Sequence, residues 1–324
     1  MKWTKLGQIF DPRQFTLPNG CVEYAQSPQA LVLPDRLRIF FSTRARDGTG
    51  KVLSHVAYAD FDESFVVMGV ATAPVLPLGS LGCFDEHGVF PLNVTRDGAA
   101  GRGGAVRGYI GGWSRRASVP VDGAIGVAVS HDDGLTFQRL GDGPVLAPCP
   151  EEPYMIADPF VLAAEGVHHM WYIFGSAWKR YAEGADPERV YKIGHAMSQD
   201  GVTWERRGPG RQVVPDRLGP DECQALPTVL TEAGRHHMLF CYREASGFRT
   251  DPTRAYRIGY AVSDDLAHWR RDDAAAGIDV RPGAWDADML CYPHMFRWRD
   301  TAYLLYNGNE FGRYGFGLAR LAEV

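Results

Sequence analysis

Residues 125–130 read Ile-Gly-Val-Ala-Val-Ser, residues 193–198 read Ile-Gly-His-Ala-Met-Ser, and residues 258–263 read Ile-Gly-Tyr-Ala-Val-Ser. Each copy is followed by a short turn rich in Asp or Gly and then by a phenylalanine or a tryptophan. Weaker copies begin at Val56 and Phe316, so the five copies start 69, 68, 65 and 58 residues apart. A period of this length accommodates four strands with long loops. The repeat therefore predicts five structural units of one kind.

A second set of regularly spaced residues gives the same count. Five prolines lie within short apolar runs, 63, 68, 68 and 66 residues apart: Pro28, Pro91, Pro159, Pro227 and Pro293. We expect each proline-bearing strand to be innermost, because a strand that borders a channel has an edge where a missing N–H is tolerated. The sequence thus predicts an all-β chain, a five-bladed β-propeller with four antiparallel strands per blade. One domain is expected over residues 1–324, with blades near 20–75, 83–146, 150–214, 220–280 and 285–324.

The amino-acid composition indicates which classes of binding partner the chain is expected to have. The chain is 45% hydrophobic and 23% charged, which is typical of a globular protein with a large core. A net charge of -5 lacks the basic field of nucleic-acid binders, so no nucleic-acid partner is expected. No run of about 18 apolar residues occurs. No apolar segment follows the first seven residues either, so we expect a cytoplasmic protein without a membrane partner. The six cysteines lack CxxC spacing, which favours neither a zinc site nor a disulfide scaffold, and no cofactor is expected.

The turns between third and fourth strands carry aspartates. Segment 130–137 matches the Asp-box pattern of a tight turn, and segment 198–204 nearly matches it. We interpret these aspartates as structural.

Carboxylates are expected at the opposite end of each unit, where first strands begin and second strands end. The residues five places before the prolines are Glu23, Glu86, Tyr154, Glu222 and Asp288. Asp85 adjoins Glu86, and Asp158 directly precedes Pro159, where it should point deeper into the channel. Carboxylates at one level repel one another, so the pattern indicates ligand binding or proton transfer. A divalent cation in the channel stays open as an alternative, since hard cations favour oxygen ligands.

Further side chains at this end suit a sugar ring, its hydroxyls or a phosphate. The expected substrate-binding residues are Glu86, His87, Arg44, Trp113, Arg243, Asp288, Tyr292, His294 and Asn307. Basic residues in the neighbouring loops, in an otherwise acidic protein, hint at an anionic substrate.

With these residues the chain resembles the five-bladed propeller glycosidases: the arabinanase and xylosidase type, the invertase and levansucrase type, and the mannoside phosphorylases. In those families three consecutive blades each supply one carboxylate, as nucleophile or base, transition-state stabiliser and general acid. The resemblance implies these roles for Asp85 or Glu86, for Asp158 and for Glu222. Asp158-Pro159 looks like the Asp-Pro of their stabiliser motif.

Two departures from the family pattern change what is expected. Ser27 precedes Pro28 where those families have Asn-Asp-Pro, and Ala157 precedes Asp158 where they have Arg. We therefore expect a glycoside-active enzyme on a small carbohydrate or sugar phosphate, with hydrolysis, phosphorolysis and transfer all open. If phosphate is a reactant, Arg44 and Arg243 are expected to hold it. The alternative is a propeller that binds a glycan or protein partner without turnover.

Overall fold

The computed structural model describes residues 1–96 and 104–322. Over these residues the chain is nearly all β, and the strands pair in consecutive sets of four. The first set contains β2 (Glu23–Val32), β3 (Leu37–Arg46), β4 (Val52–Phe61) and β5 (Val67–Val70). The second contains β6 (Gly88–Arg96), β7 (Val106–Arg115), β8 (Val121–Ser130) and β9 (Gln138–Arg139). The third contains β10 (Ile156–Ala164), β11 (Val167–Lys179), β12 (Glu188–Ser198) and β13 (Glu205–Arg206).

The fourth set contains β14 (Cys223–Glu232), β15 (Arg235–Arg243), β16 (Arg257–Ser263) and β17 (Arg270–Arg271). The fifth contains β18 (Cys291–Trp298), β19 (Thr301–Asn307), β20 (Phe316–Leu321) and, from the start of the chain, β1 (Trp3–Phe10). Helical structure in the described residues is limited to α1 (Asn309–Gly312) and the 3-10 turns Pro12–Gln14, Pro18–Gly20, Pro252–Arg254 and Asp273–Ala275. None of these helices is long and apolar enough to cross a membrane.

The sets are antiparallel sheets arranged in a ring. The first strands contact one another in the order β2, β6, β10, β14 and β18, and β18 contacts β2. The prolines mark these first strands and the repeated hexapeptides mark the third strands, as predicted. A single parallel bridge, Ser54 to Gly88, joins the first two sheets. The prediction of an all-β chain of antiparallel sheets is confirmed.

The fifth sheet differs from the prediction because its outermost strand comes from the other end of the chain. Residues 285–324 supply three strands, and β1 pairs antiparallel with β20 to complete the sheet. Phe10 of β1 packs its ring within 5.1 Å of Phe316 and 5.0 Å of Phe41. The closing strand is therefore held both by backbone pairing and by an aromatic cluster shared between the fifth and first sheets.

Each first strand has a β-bulge at its proline. The register shifts in all five, between Gln26 and Gln29 in β2 and at equivalent places in the others. The residue before proline has positive φ in four of them: Ser27, Asp158, Leu226 and Tyr292. A bulge re-aims side chains locally and is common beside functional sites. It is the device by which these strands direct individual side chains toward the mouth of the ring.

The turn aspartates hold the far end of the sheets. Asp132 accepts hydrogen bonds from the Thr136 backbone N–H at 2.9 Å and from its hydroxyl at 2.6 Å. Asp200 does the same for Thr203, at 2.7 and 3.0 Å. Their hydrogen-bonding capacity is used within the turn, which is a structural role.

Candidate functional site

A cavity of about 320 Å³ opens at the mouth of the ring, and a second of about 380 Å³ continues it outward. The two share Arg44, Arg189, Arg249, Tyr256 and Tyr292. Cavities of this combined size are typical of small-molecule sites. The mouth therefore provides one continuous site, with an inner and an outer part.

Asp158 is the acidic residue of the inner cavity. Its side chain is almost fully buried, and Oδ2 accepts a long hydrogen bond of 3.3 Å from the Leu226 backbone N–H. Burial raises the pKa of Asp158 from 3.8 to about 7, although that hydrogen bond and the charge of Arg189 oppose the shift. A carboxyl group with a pKa near 7 can both give and take a proton at neutral pH. The bulge in β10 thus delivers a proton-transfer group to the cavity.

Aromatic side chains form much of the wall around this carboxyl group. Phe90 and Tyr292, the pre-proline residues of β6 and β18, line the inner cavity and contact each other edge to face at 5.2 Å. Trp113, at the end of β7, lines it as well. Flat rings of this kind stack on sugar faces. Trp113 and Tyr292 therefore lie at the mouth of the ring, as predicted from the sequence.

Positive charge comes from several sheets. Arg44 of β3, Arg189 of β12 and Arg243 of β15 line the cavities, and Arg249 follows β15. Arg249 donates to Glu188 Oε1 at 2.5 Å, so its charge is compensated. Arg44 and Arg243 lie at the mouth as the sequence predicted, while Arg189 and Tyr256 were not among the expected residues.

Asp85 lies elsewhere. It is fully buried, and its Oδ2 accepts from Arg139 Nε at 2.9 Å. Arg139 belongs to β9, the outermost strand of its sheet and about 14 Å of strand spacing from the innermost one. The expectation that Asp85 faces the channel is wrong, because the carboxylate neutralises this outer arginine instead.

Glu222 is engaged in the same way in the fourth sheet. Oε1 accepts from Arg271 Nη1 at 2.6 Å, and Oε2 accepts from the backbone N–H groups of Arg217 and Leu218 at 2.8 Å each. Arg271 lies in β17, again the outermost strand. Glu222 therefore does not face the inner cavity, and the expected general acid is a structural residue.

The pattern extends to further sheets. Glu152 pairs with Arg206 of β13 at 2.8 Å, and Asp286 pairs with Lys5 of β1 at 2.5 Å. In each case a carboxylate before the first strand binds a basic side chain of the outermost strand. We call these four pairs the sheet clasps: Asp85–Arg139, Glu152–Arg206, Glu222–Arg271 and Asp286–Lys5. Two of the carboxylates that the sequence predicted at the channel, Asp85 and Glu222, belong to these clasps.

The other expected residues divide between the rim and the interior. Glu86 accepts from the Gly82 backbone N–H at 2.6 Å and lies 3.1 Å from His87 Nδ1, while His87 stacks on Trp113 at 6.0 Å. Asp288 is exposed. None of these three lines either cavity.

His294 and Asn307 are interior residues. Burial lowers the pKa of His294 to about 3, and its ring packs against Phe160 at 6.0 Å. Asn307 accepts from the Ser27 backbone N–H at 2.8 Å and donates to the Ala25 and Gly315 carbonyls at 2.8 and 2.7 Å. Asn307 thus ties the fifth sheet to the first, and its expected contact with substrate is wrong.

The geometry of the described cavities does not favour a bound divalent cation. Within residues 1–96 and 104–322, no three His, Cys, Asp or Glu side chains come together as a metal site would require. The expected ring of carboxylates does not form at the cavity: Glu23 and Glu222 pair with arginines, Glu86 accepts from the Gly82 backbone N–H, and Asp288 is exposed. The charge around the cavity is positive, which suits an anion.

At three of the five prolines, the residue one place before the proline lines the inner cavity: Phe90, Asp158 and Tyr292. Ser27 and Leu226 occupy the same position in the other two first strands and are buried outside the cavity. In the three strands the bulge turns the pre-proline residue toward the mouth, whereas the residue five places before the proline still belongs to the incoming loop or its clasp. An alignment on the pre-proline residue would have separated Asp158 from Asp85 and Glu222.

No protein-family model matches the chain. Two proteins of Mycobacterium tuberculosis, from strain CDC 1551 / Oshkosh and from strain ATCC 25618 / H37Rv, are each 35% identical to it. Both alignments cover 99% of this chain and 99% of the relative, and both relatives are described as uncharacterized proteins.

Solved structures with the same fold include glycoside hydrolases of family 43 and an arabinanase. A thermostable family-43 enzyme has a TM-score of 0.65 at 13% identity, covering 95% of this chain and 94% of that one. A GH43_1 enzyme from Xanthomonas citri complexed with xylotriose has a TM-score of 0.58 at 18% identity, covering 95% and 90%. An exo-1,5-alpha-L-arabinanase from a bovine ruminal metagenomic library has a TM-score of 0.63 at 12% identity, covering 96% and 97%. The resemblance to arabinanase and xylosidase-type proteins is confirmed at the level of the fold.

Proposed function

We propose that this chain, which belongs to one protein family with the two uncharacterized mycobacterial proteins, is a carbohydrate-active enzyme. It cleaves or transfers a glycosyl group of a small sugar or sugar phosphate at the mouth of the ring. In this proposal the ring of five sheets is a five-bladed propeller and a single domain, and the enzyme acts in the cytoplasm. The ring of first strands and the similarity to family-43 folds support the architecture.

The observation that carries the function is Asp158. A buried carboxyl group with a pKa near 7, held at positive φ before a proline, is costly to maintain. Backbone strain and perturbed pKa values of this kind cluster at functional sites. The surrounding aromatic wall and cavity size suit a sugar.

Asp158 acts in this proposal as the general acid. Its proton passes to the glycosidic oxygen as the bond from that oxygen to the anomeric carbon breaks, and the acceptor then bonds to the anomeric carbon. Hydrolysis by paired carboxylates would need a second free carboxylate across the sugar. Glu310, the other carboxylate lining the described cavities, lies in the outer part and is bound by Arg313 Nη1 at 2.9 Å and Tyr314 Oη at 2.6 Å. The geometry favours an acceptor that is nucleophilic without a protein base.

The test is turnover of a panel of aryl arabinosides, xylosides, glucosides and mannosides, with and without inorganic phosphate. We expect Asp158→Asn to lower kcat by about 10²- to 10⁴-fold, the usual contribution of a general acid. Asp300→Asn, at an exposed position, serves as the matched control and should keep the wild-type rate.

The competing function, a binding propeller, makes the opposite prediction. Glycan binding would then depend on Trp113, and Asp158→Asn would change nothing measurable. Full turnover by Asp158→Asn would remove the general-acid role.

A further inference from the structure

The basic residues near the mouth fall into two groups. In the first group each basic side chain is compensated by a carboxylate: Arg115 by Asp47, Arg116 by Asp122, Lys179 by Asp221, Arg249 by Glu188 and Arg254 by Glu244. Arg44, Arg189 and Arg243 have no carboxylate partner in the described part of the chain. Three of the four arginines that line the two described cavities are therefore uncompensated, and Arg249 is the exception.

Arg243 is the most constrained of the three. It is 2% exposed, its Nη atoms donate to the Glu244 carbonyl at 2.7 Å and to Tyr191 Oη at 2.9 Å, and its Nε has no partner. Phe248 lies 3.5 Å below the guanidinium. An uncompensated buried guanidinium is expensive unless an anion reaches it. The planar group is thus fixed in place with hydrogen-bonding capacity to spare.

Arg44 and Arg189 approach the same space from the first and third sheets. Arg44 donates Nε to Gln26 at 2.9 Å and lies over the Tyr24 ring at 4.7 Å. Burial lowers the pKa of Arg44, and repulsion from Arg189 lowers it further. An anion placed between these guanidinium groups would relieve that repulsion.

We infer that Arg44, Arg189 and Arg243 form a subsite for a phosphoryl group in the outer cavity, next to the inner cavity that holds Asp158. This inference rests on the proposed function and defines its substrate class: the phosphoryl group is borne by the sugar or enters as free orthophosphate. A tetrahedral dianion can accept hydrogen bonds from three guanidinium groups at once. Arg44 and Arg189 also line the inner cavity, so a sugar that carries or receives the phosphoryl group would lie beside Asp158.

The experiment is calorimetric titration in a phosphate-free buffer at constant ionic strength, with orthophosphate, glucose 1-phosphate and glucose as probes. We expect saturable binding of at least one phosphorylated probe by the wild type. Arg44→Gln, Arg189→Gln and Arg243→Lys should each weaken it at least tenfold. Lysine keeps the charge but loses the planar array of donors. Arg270→Gln, at an exposed position of β17, is the matched control and should bind as the wild type does.

Each outcome decides the proposal. If neither phosphorylated probe binds, or if Arg270→Gln weakens binding as much as the cavity variants, the subsite is refuted. Orthophosphate binding that is unaffected by glucose supports a free phosphate reactant, and binding of glucose 1-phosphate alone supports a phosphorylated sugar. Asp158→Asn should retain phosphate binding while losing turnover. Turnover without phosphate binding would therefore refute the subsite alone, whereas phosphate binding without turnover would leave the subsite and refute the enzyme.

Discussion

At the scale of single residues, Asp158 shows how position rather than residue type determines chemistry. Asp85 and Asp158 are both buried aspartates of neighbouring sheets. Asp85 meets the guanidinium of Arg139, whereas Asp158 is buried and accepts one long backbone hydrogen bond. Burial raises the pKa of Asp158 and so favours its protonated form. Sequence alone shows two acidic residues and not which of them meets an arginine.

Asp158 should make stability depend on pH. Its folded pKa of about 7 exceeds the ordinary value of 3.8, so between about pH 4 and 7 the folded state keeps a proton that the unfolded state loses. The wild type should therefore lose stability relative to Asp158→Asn as pH rises through this window, by on the order of 3 to 5 kcal/mol. Urea denaturation at several pH values measures the difference, with Asp300→Asn as the control. Stability curves of Asp158→Asn and wild type that run parallel would contradict the assigned environment.

At the scale of the structural element, the sheet clasps explain how very short outermost strands stay paired to their sheets. β9, β13 and β17 contain two residues each, and in each a basic side chain reaches the carboxylate that precedes the first strand. Backbone pairing over two residues is weak, so the buried ion pair defines where the strand lies. Sequence spacing predicted the first and third strands well, since apolar repeats mark them. It could not predict the clasps, because the partners are 49 to 54 residues apart in three of them and 281 residues apart in the fourth, Asp286–Lys5.

Glu222→Gln should destabilise the fold and leave catalysis intact. Removing the charge leaves Arg271, only 7% exposed, with Asp273 as its remaining carboxylate partner, so we expect a cost of about 1 to 3 kcal/mol. Glu232→Gln, in the exposed pair with Arg297 of the adjacent sheet, should change stability by about 0.5 kcal/mol or less. Chemical denaturation gives both values, and kcat is measured well below the unfolding midpoint. Lost turnover in a folded Glu222→Gln protein would restore a catalytic role for this residue.

At the scale of the whole molecule, the ring is closed by the pairing of β1 with β20. The repeat could be recognised in the sequence because the third strands share one residue pattern. The closing strand β1 could not be recognised from the sequence, because Trp3–Phe10 resembles no other fourth strand. Its partner strand also lies about 310 residues away. The sequence thus predicted an all-β repeat but missed how the last set of strands is completed.

We expect Phe10→Ala to destabilise the fold by weakening the packing that holds β1 against β20. Phe10 is 2% exposed in a cluster with Phe41, Phe61 and Phe316, and removing such a ring costs about 3 to 5 kcal/mol. Leu6→Ala on the same strand, where the side chain is 47% exposed, should cost less than about 1 kcal/mol. Thermal and urea unfolding measure both. Equal effects of the two variants would show that the aromatic cluster does not hold the closing strand.

The same pairing has a consequence for synthesis on the ribosome. Four sheets use strands that are consecutive in the chain, so each can assemble as it emerges, but β1 emerges from the ribosome before the other described strands and β20 after them. The nascent chain therefore carries β1 without its partner until β20 has been made. A premature stop codon a few positions before Phe316 would remove β20 and leave β1 unpaired, so that one truncation would disable two strands that lie about 310 residues apart.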